Sequence, residues 1–267
     1  MPTVYKCFPG GKHKALTMSY DDGKIYDRRL ISIFNQYGIK GTFHLNSAFL
    51  GDSRHVSREE VKTLYAGHEV ACHTATHPTI ARCPDSQVVR QVLEDRESLE
   101  DLVGYPVRGL SYPNGSYSAS IKSFLPALGI RYARTTGSTH GFGLPEDLYA
   151  WDSTCHHTHG LMEDGKAFTE LYKKQYLYLM YVWGHSYEFN DSDNWDLIEG
   201  FCRLVGGRGD TWYATNIEIA DYMDLCRALR FSAKGNFVFN PGAATVFLSV
   251  DGKMVEVPGG KQVELYE

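Results

Sequence analysis

The apolar positions of this chain follow two alternating patterns. Short runs of consecutive apolar residues, typical of buried strands, are separated by stretches in which apolar residues recur every three or four positions, as on one face of a helix. The runs predict strands at residues 14–20, 41–45, 68–74, 107–112 and 176–185. After the first of these, Leu30, Ile31 and Phe34 lie at helical spacing ahead of Gly38, a typical residue beyond a helix end. This alternation predicts an α/β fold in which βαβ units surround a parallel sheet or barrel.

The pattern changes near residue 231. The segment FVFNPGAATVFLSVDGKMVEVPGGKQVELYE alternates apolar and polar residues and contains turn sequences at DG and PGG. Short alternating runs joined by such turns are typical of β-hairpins. We therefore expect residues 1–230 to form the main barrel-like unit and residues 231–267 to form a small β-hairpin extension packed on it.

Composition restricts the classes of partner. The chain has 267 residues, 43% of them hydrophobic, which is enough for one large core. Its 27 Lys and Arg residues against 32 Asp and Glu residues give a net charge of −5, and there is no basic cluster suited to a phosphate backbone. Nucleic acid is therefore not expected as a partner. No apolar run reaches the roughly 18 residues that a membrane span needs, so no membrane partner is expected either. The sequence carries no indication of the oligomeric state.

Cysteine usage and the amino-terminal residues predict the compartment. The six cysteines are scattered and include no C-x-x-C pair, which is typical of reduced, mostly buried thiols. The stretch MPTVYKCFPGGKHK has no apolar segment of the kind found in export signals. We expect a cytoplasmic protein, although an exported protein whose signal has been removed would look the same.

Residues that can carry chemistry gather where the predicted strands end. Asp21 and Asp22 follow the first strand, His73 closes the third with His77 just beyond, and His185 closes the last. The carboxyl ends of parallel strands lie at one edge of a sheet, where the functional groups of such folds meet. Two imidazoles and a carboxylate are a common ligand set for a divalent metal. Taken alone, Asp-Asp-Gly is equally typical of a turn and an H-x-x-x-H pair is often incidental, but their combination favours a metal site.

Together these motifs resemble those of a known family. SYDDG at 19–23 is similar to the family pattern T-F-D-D-G, HTATH at 73–77 matches H-[ST]-x-x-H, and YGIKGTFHL between them is also similar. The resemblance is to the polysaccharide deacetylases, the NodB-homology or carbohydrate esterase family 4 group, and it covers residues 12–225. It implies a distorted (β/α)7-type barrel and the metal-dependent removal of acetyl groups from N-acetylated sugars.

The resemblance implies a role for each residue at a strand end. Asp22, His73 and His77 would hold the divalent metal, with Zn²⁺ expected and Co²⁺ or Ni²⁺ as alternatives. Asp21 would be the general base, which is consistent with a cation lowering the pKa of a nearby water towards about 7. His185, in VWGHSYEF, would be the general acid that protonates the leaving amine; a histidine satisfied within the core is the other interpretation of this position.

The third motif departs from the family. SYPNG at 111–115 is similar to R-x-P-Y-G in its Pro and its final Gly, and the backbone N–H of Asn114 would help to hold the oxyanion. Ser111, however, stands where the family has an arginine that orients the catalytic aspartate. Either Arg108 or another cation substitutes, or Asp21 is tuned differently. We expect the latter, because three residues along a strand move a side chain about 10 Å and to the opposite face.

Aromatic residues near these motifs are candidates for substrate contacts. Trp151 and Asp152 stand where the fourth motif is expected. Trp151 would either line the cleft or belong to the core, and Asp152 would orient the catalytic histidine. Trp183 is a further candidate for contact with the substrate, since aromatic rings pack well on the apolar faces of sugars. Tyr112 and Pro113 of the third motif are candidates as well.

A histidine-rich segment, CHHTHG at 155–160, belongs to none of these motifs. It would form a second metal site, reach the first one, or lie in a solvated loop. The sequence does not decide among these alternatives for His156, His157 and His159.

The expected function is that of a metal-dependent hydrolase, a polysaccharide or oligosaccharide deacetylase that cleaves the carbon–nitrogen bond of an N-acetylated sugar. One alternative is a metal-dependent amidase or O-acetyl esterase with a small, non-polymeric substrate. Another is a catalytically silent protein that binds sugar or metal. The expected partner is accordingly an acetylated carbohydrate or a small amide.

Overall fold

The structure, a computed structural model, describes residues 2–266. Its strands are β1 (Val4–Cys7), β2 (Lys14–Asp21), β3 (Gly41–Leu45), β4 (Glu69–Cys72), β5 (Gly109–Ser111), β6 (Tyr132–Ser138), β7 (Trp151–Ser153), β8 (Cys155–His156), β9 (Tyr178–His185), β10 (Thr211–Tyr213), β11 (Arg230–Phe231), β12 (Phe237–Phe239), β13 (Val246–Val250), β14 (Lys253–Val257) and β15 (Gln262–Glu264). Its α-helices are α1 (Asp27–Gln36), α2 (Val61–Leu64), α3 (Asp85–Val103), α4 (Ala119–Phe124), α5 (Leu161–Glu170), α6 (Ser186–Asp191), α7 (Trp195–Val205) and α8 (Asn216–Ala228). Short 3₁₀ helices lie at Pro9–Gly11, Ile80–Arg82, Pro113–Gly115, Leu125–Leu128 and Leu148–Ala150. The strands predicted from the apolar runs all form, with ends that differ by at most two residues.

One parallel sheet organises the chain, and the predicted α/β class is confirmed. Its strand order is β7-β6-β5-β4-β3-β2-β9-β8, and β10 pairs with the first residues of β2. Within residues 2–266 the pairing follows an open path and does not close into a barrel. The two ends of that path are consecutive in sequence, because only Thr154 separates β7 from β8; its N–H donates to the carbonyl of Tyr181 in β9 at 2.8 Å. Residues 151–156 therefore join the two edges of the sheet.

The central strand β2 shows how the fold directs side chains. All eight of its residues are buried, and successive side chains point to opposite faces. Leu16, Met18 and Tyr20 belong to the large apolar cluster that also contains residues of α1 and α7. The intervening positions carry polar side chains to the other face, and the last of them is Asp21. Because side chains alternate between the two faces along β2, Asp21 lies on the inner face of the sheet.

The carboxyl-terminal residues form two small antiparallel sheets. One has the order β1-β13-β14 and the other β11-β12-β15. The turn between β13 and β14 uses Asp251 and Gly252 with φ angles of 49° and 82°, as expected for a two-residue hairpin at DG. The predicted boundary at residue 230 assigned Val4–Cys7 to the main unit, but this strand pairs with Val246–Val250. The extension thus includes residues from both ends of the chain, which the local pattern of the tail could not indicate.

Two further sequence features can be located in the structure. All six cysteines are free thiols, and five of them are buried. Among residues 2–266 no helix has both the length and the apolar composition that crossing a bilayer requires.

The inner face of the sheet carries a buried polar network. Asn216, at the start of α8, accepts a hydrogen bond from the Thr17 hydroxyl at 2.7 Å, and its N–H donates to the Thr42 hydroxyl at 2.9 Å. Thr42 donates in turn to Glu69 at 2.9 Å, and the Tyr132 hydroxyl donates to Glu69 at 2.8 Å. Burial outweighs these hydrogen bonds and raises the pKa of Glu69 to about 7.

Replacement of Glu69 by Gln should remove part of the pH dependence of stability. The folded-state pKa of about 7 lies above the ordinary value of 4.5, so the protonated carboxyl favours the folded state, and this contribution is lost as the pH rises through that interval. For one buried group the loss in free energy of unfolding is about 3 kcal/mol between about pH 4.5 and 7.

Urea unfolding of both proteins across this range, with a chelator present, measures the difference. Glu59→Gln, at an exposed position, controls for the loss of one negative charge. Parallel stability profiles for the wild type and Glu69→Gln would show that Glu69 does not titrate in this interval.

Candidate active site

The carboxyl-terminal edge of the parallel sheet brings the predicted site residues together. Strand register places Asp21 opposite His44 of β3 on one side and opposite His185 of β9 on the other. Asp22 follows directly, and the loop after β4 carries both histidines of HTATH. Strand ends alone predicted this convergence. The catalytic roles of these residues stay predictions.

Asp22, His73 and His77 form the first candidate metal site. Asp22 Oδ1 lies 3.7 Å from His73 Nε2 and 3.9 Å from His77 Nε2, and the ligand atoms are within 4.8 Å of one another. The His73 Nδ1–H donates to the carbonyl oxygen of Ser111 at 2.8 Å, so that Nε2 faces Asp22. Burial lowers the pKa of His73 to about 4, and its ring is therefore neutral at pH 7, as a ligand must be. This donor set fits a divalent cation such as Zn²⁺.

Strained backbone shapes the loops of the site. Left-handed φ angles occur at the non-glycine residues Asp22 (81°), Thr74 (63°), His77 (55°) and Asn114 (56°). Such conformations cost on the order of 1–3 kcal/mol each and persist only where the surroundings fix them. The Asn46 amide donates to the carbonyls of His73 at 2.6 Å and Thr74 at 2.8 Å. The Asp22 N–H donates to the His44 carbonyl at 2.9 Å. The loops are therefore held in place before any ligand arrives.

A buried carboxylate in α3, Asp95, positions two of these loops. It accepts the N–H of Ser47 at 2.8 Å and the N–H of His73 at 2.9 Å. Burial outweighs these hydrogen bonds and raises the pKa of Asp95 to about 7. The sequence analysis missed this residue, although it occupies an apolar-face position between Val92 and Leu99 in the helix.

Asp21 is buried, with 2% of its surface exposed. The Arg134 guanidinium donates to Oδ2, the Ser111 hydroxyl donates to Oδ1 at 3.1 Å, and His44 Nδ1 lies 3.3 Å from Oδ1. Burial by itself would raise the pKa of Asp21, but Arg134 and the neighbouring imidazoles lower it well below its usual range. The carboxylate is therefore ionised at pH 7.

The expectation that Asp21 lacks a substitute cation is wrong. Arg134 of β6 is the register partner of Ser111 of β5, so the guanidinium comes from the next strand across the sheet, about 4.8 Å away. The reasoning from distance along one strand correctly excluded Arg108, which pairs with Asp221 at 2.9 and 2.5 Å. The same distance does not apply to a residue on the adjacent paired strand, such as Arg134. A charged residue inside the apolar sequence IRYAR was the available signal.

Glu188, and not Asp152, holds the candidate general acid. The His185 ring Nδ1 lies 3.1 Å from Glu188 Oε2, and the His185 N–H donates to the same oxygen at 2.9 Å at the start of α6. Burial by itself would lower the pKa of His185, but the hydrogen bond to Glu188 and the charge of Asp21 raise it overall. Asp152 is exposed, accepts from the Thr135 hydroxyl, and among the described residues makes no hydrogen bond or ion pair with His185. The predicted orienting role of Asp152 is therefore wrong; the spacing H-x-x-E at a helix start was the missed signal.

Most of the predicted substrate contacts are buried. Trp151 is 1% exposed and packs edge-on against Tyr132 and Tyr181, and Pro113 is buried. Tyr112 is 1% exposed and donates its hydroxyl to a backbone carbonyl at 2.8 Å. Tyr112 and Trp151 belong to the apolar core. The sequence did not show this, because an alternating pattern identifies a buried face without telling whether that face lines the core or a cleft.

Two other candidates lie closer to the site chemistry. Trp183 is 8% exposed and lies 4.2 Å below the Arg134 guanidinium, so it supports the ion pair with Asp21. Asn114 is exposed, and its side-chain amide donates to the Thr79 hydroxyl at 3.2 Å. The oxyanion role of its backbone N–H stays a prediction.

Two cavities of about 380 Å³ each adjoin Asp22 and share Lys24 and Arg54 in their walls. One extends to Tyr187 in α6 and the other to His77. Two cationic side chains therefore line both cavities next to Asp22. A third cavity, of about 400 Å³, is lined by residues of the β7 region and shares no wall residue with these two.

The histidine-rich segment is only partly solvated. His157 is 1% exposed, and its ring stacks against those of Tyr20 and Phe189, with centres 5.6 and 4.1 Å away. His156 is partly buried and His159 is exposed. Of the alternatives open from the sequence, a solvated loop therefore describes only the end of this segment.

Loss of Arg134 should destabilise the protein far more than loss of Arg108. Arg134→Met leaves the buried Asp21 carboxylate without its cation, and breaking a buried pair in this way costs about 3–5 kcal/mol. Arg108→Met breaks a pair whose side chains are 38% and 43% exposed, which is worth at most about 1 kcal/mol. Urea unfolding of both variants at pH 7 gives the comparison. Equal losses would mean that Arg134 is not the cation on which Asp21 depends.

Comparisons with known proteins point to one family. The sequence model described as polysaccharide deacetylase matches residues 9–133. The chitooligosaccharide deacetylase of Rhizobium leguminosarum bv. phaseoli is 25% identical over 152 residues, which are 57% of this chain and 58% of that protein. The chain thus spans little more than half the length of this relative.

Solved structures share the fold. A protein from Mycobacterium smegmatis assigned to the polysaccharide deacetylases has a TM-score of 0.64 at 15% identity, over 85% of this chain and 96% of that one. A mutant of a carbohydrate esterase family 4 pseudoenzyme with restored enzymatic activity has a TM-score of 0.54 at 15% identity, over 81% and 70%. The resemblance predicted from the motifs is confirmed: this chain is similar in sequence to the polysaccharide deacetylases, and it shares its fold with a solved protein of that description and with a carbohydrate esterase family 4 pseudoenzyme.

Proposed function

We propose that this chain is a metal-dependent hydrolase that removes the acetyl group from an N-acetylated sugar. One observation carries the proposal: Asp22, His73 and His77 meet at the sheet edge beside Asp21, an ionised carboxylate, with His185 on the adjacent strand. The matched relative from Rhizobium leguminosarum is a chitooligosaccharide deacetylase, which supports a chitooligosaccharide as the first substrate to test.

Asp22, His73 and His77 would hold the cation, with Zn²⁺ favoured by the donor set and Co²⁺ or Ni²⁺ as alternatives. When bound, the metal would polarise the acyl carbonyl and make water acidic enough to attack near neutral pH. The contact between His73 Nδ1 and Ser111 fixes the ring in the orientation that this role needs.

Asp21 would accept the proton of the attacking water. Its pairing with Arg134 keeps the carboxylate ionised, and the Ser111 hydroxyl holds Oδ1 in place. As the oxygen–carbon bond forms, the water proton passes to Asp21. The backbone N–H of Asn114 would stabilise the negative charge that develops on the carbonyl oxygen.

His185 would protonate the leaving nitrogen. The carbon–nitrogen bond breaks as this proton arrives, and the products are acetate and a free amine. Glu188 orients the ring and helps to raise the pKa of His185 above its ordinary value, so more of it carries the proton near neutral pH.

Two other functions make distinct predictions. The same machinery would act on a small amide or on an O-acetyl ester, and a substrate panel that scores free amine against free hydroxyl separates these. The fold is shared with a pseudoenzyme, so it does not by itself argue for activity. A silent binding protein would take up divalent metal and hydrolyse none of the acylated amines with Zn²⁺, Co²⁺ or Ni²⁺. A cytoplasmic location stays a prediction.

Asp21→Asn should abolish turnover while metal stays bound. The amide keeps the size of the side chain but cannot accept a proton, and general-base contributions are typically about 10²–10⁴-fold. Acetate release from N-acetylated chitooligosaccharides and metal content by mass spectrometry are the two measurements. Unchanged acetate release would remove Asp21 as the base, and loss of metal would make it a ligand.

Glu188→Gln should lower kcat by about tenfold or more with little change in KM, because a second residue that orients a catalytic ring acts mainly on the chemical step. Asp152→Asn is the matched variant, since it alters the carboxylate that the sequence had assigned to this role, and it should retain activity. The reverse order of effects would restore the assignment to Asp152.

A further inference from the structure

A second cluster of potential ligands lies beside the candidate general acid. It consists of His156 at the end of β8, His157 directly after it, and Glu188 in the first turn of α6. We call it the second histidine cluster. It shares no residue with the site formed by Asp22, His73 and His77.

Two of the three separations between its donor atoms match those between ligands of one bound cation. His156 Nε2 and His157 Nε2 both lie 3.3 Å from Glu188 Oε2, and the ligand atoms are within 4.8 Å of one another. Ligands bonded at 2.0–2.2 Å to a tetrahedral cation lie about 3.3–3.6 Å apart. The two nitrogens therefore approach one carboxylate oxygen at the separation of ligands around a shared ion.

His157 provides an independent reason to place a ligand here. It is 1% exposed, and among residues 2–266 neither of its ring nitrogens has a hydrogen-bond partner. A buried polar group left in this state costs about 1–3 kcal/mol. The rings of Tyr20 and Phe189 both stack against the His157 ring, and its Nε2 lies 3.3 Å from Glu188 Oε2.

The chain also makes room for this ring. A β-carbon at Gly184 would collide with His157 Nδ1, so the absence of a side chain there allows the ring to lie against β9. The ring is thus fixed by packing alone, while its outward nitrogen points at the cluster.

We propose that His156, His157 and Glu188 bind a second divalent cation, with Zn²⁺ as the metal that two imidazoles and one carboxylate suit best. The side chains of His156 and Glu188 are 13% and 25% exposed, so a further coordination position is open to water. The proposal does not depend on deacetylase activity. It would hold equally for a silent binding protein.

Zinc counting in variants tests the proposal. The wild type should retain two zinc ions per chain after dialysis, and the His73→Ala/His77→Ala variant should retain one. Adding Glu188→Gln or His156→Ala to that variant should remove the remaining ion, whereas His159→Ala, at an exposed histidine of the same segment, should not. Cobalt substitution gives a second readout, because a four-coordinate Co²⁺ site in the His73→Ala/His77→Ala background should absorb in the visible range and lose this absorption with Glu188→Gln.

Circular dichroism confirms that each variant is folded. If the His73→Ala/His77→Ala protein does not fold, the His156→Ala/Glu188→Gln variant of the otherwise intact chain should retain one ion instead of two. A single ion in the wild type that disappears with His73→Ala/His77→Ala overturns the proposal. So does a second ion that survives both His156→Ala and Glu188→Gln.

Discussion

The ion pair between Asp21 and Arg134 is the interaction on which the rest of the site depends. Both side chains are almost fully buried, at 2% and 1% exposed, where an isolated charge would be very costly. The pair satisfies that requirement because adjacent strands β5 and β6 put Ser111 and Arg134 in register, with both side chains reaching Asp21. The pairing of these strands places the Arg134 guanidinium against Asp21, and this contact keeps the buried Asp21 carboxylate ionised.

The parallel sheet turns this constraint into a site. Its strands end at one edge, and β2 delivers Asp21 to the inner face through strict alternation. The loops beyond the edge have left-handed backbone at Asp22 and His77. Hydrogen bonds with His44, Asn46 and Asp95 fix the backbone of these loops at Asp22, His73 and Thr74. Asp95 holds the His73 loop, and Glu188 holds the start of α6. The candidate metal ligand His73 is thus preorganised by Asp95, which would not touch the cation.

The sequence predicted the parts of this arrangement that short spacings encode. Runs of apolar residues predicted the strands, and their alternation with helical spacing predicted the α/β class. The positions of Asp22, His73 and His77 at the ends of strands predicted that these residues converge. Arg134 was missed because it reaches Asp21 only through the pairing of β6 with β5. Which strands pair cannot be deduced from a single sequence. Tyr112 was predicted to contact the substrate, and Trp151 was left open between cleft and core; both are core residues. An alternating pattern shows that a face is buried but does not show what that face contacts.

A crystal structure of the zinc-loaded protein with acetate bound tests the central claim most directly. The account predicts a cation held by Asp22, His73 and His77, with the Asp21 carboxylate off the metal, still paired with Arg134, and facing the acetate together with His185. A cation coordinated by Asp21, or an Arg134 guanidinium turned away from it, would contradict the account.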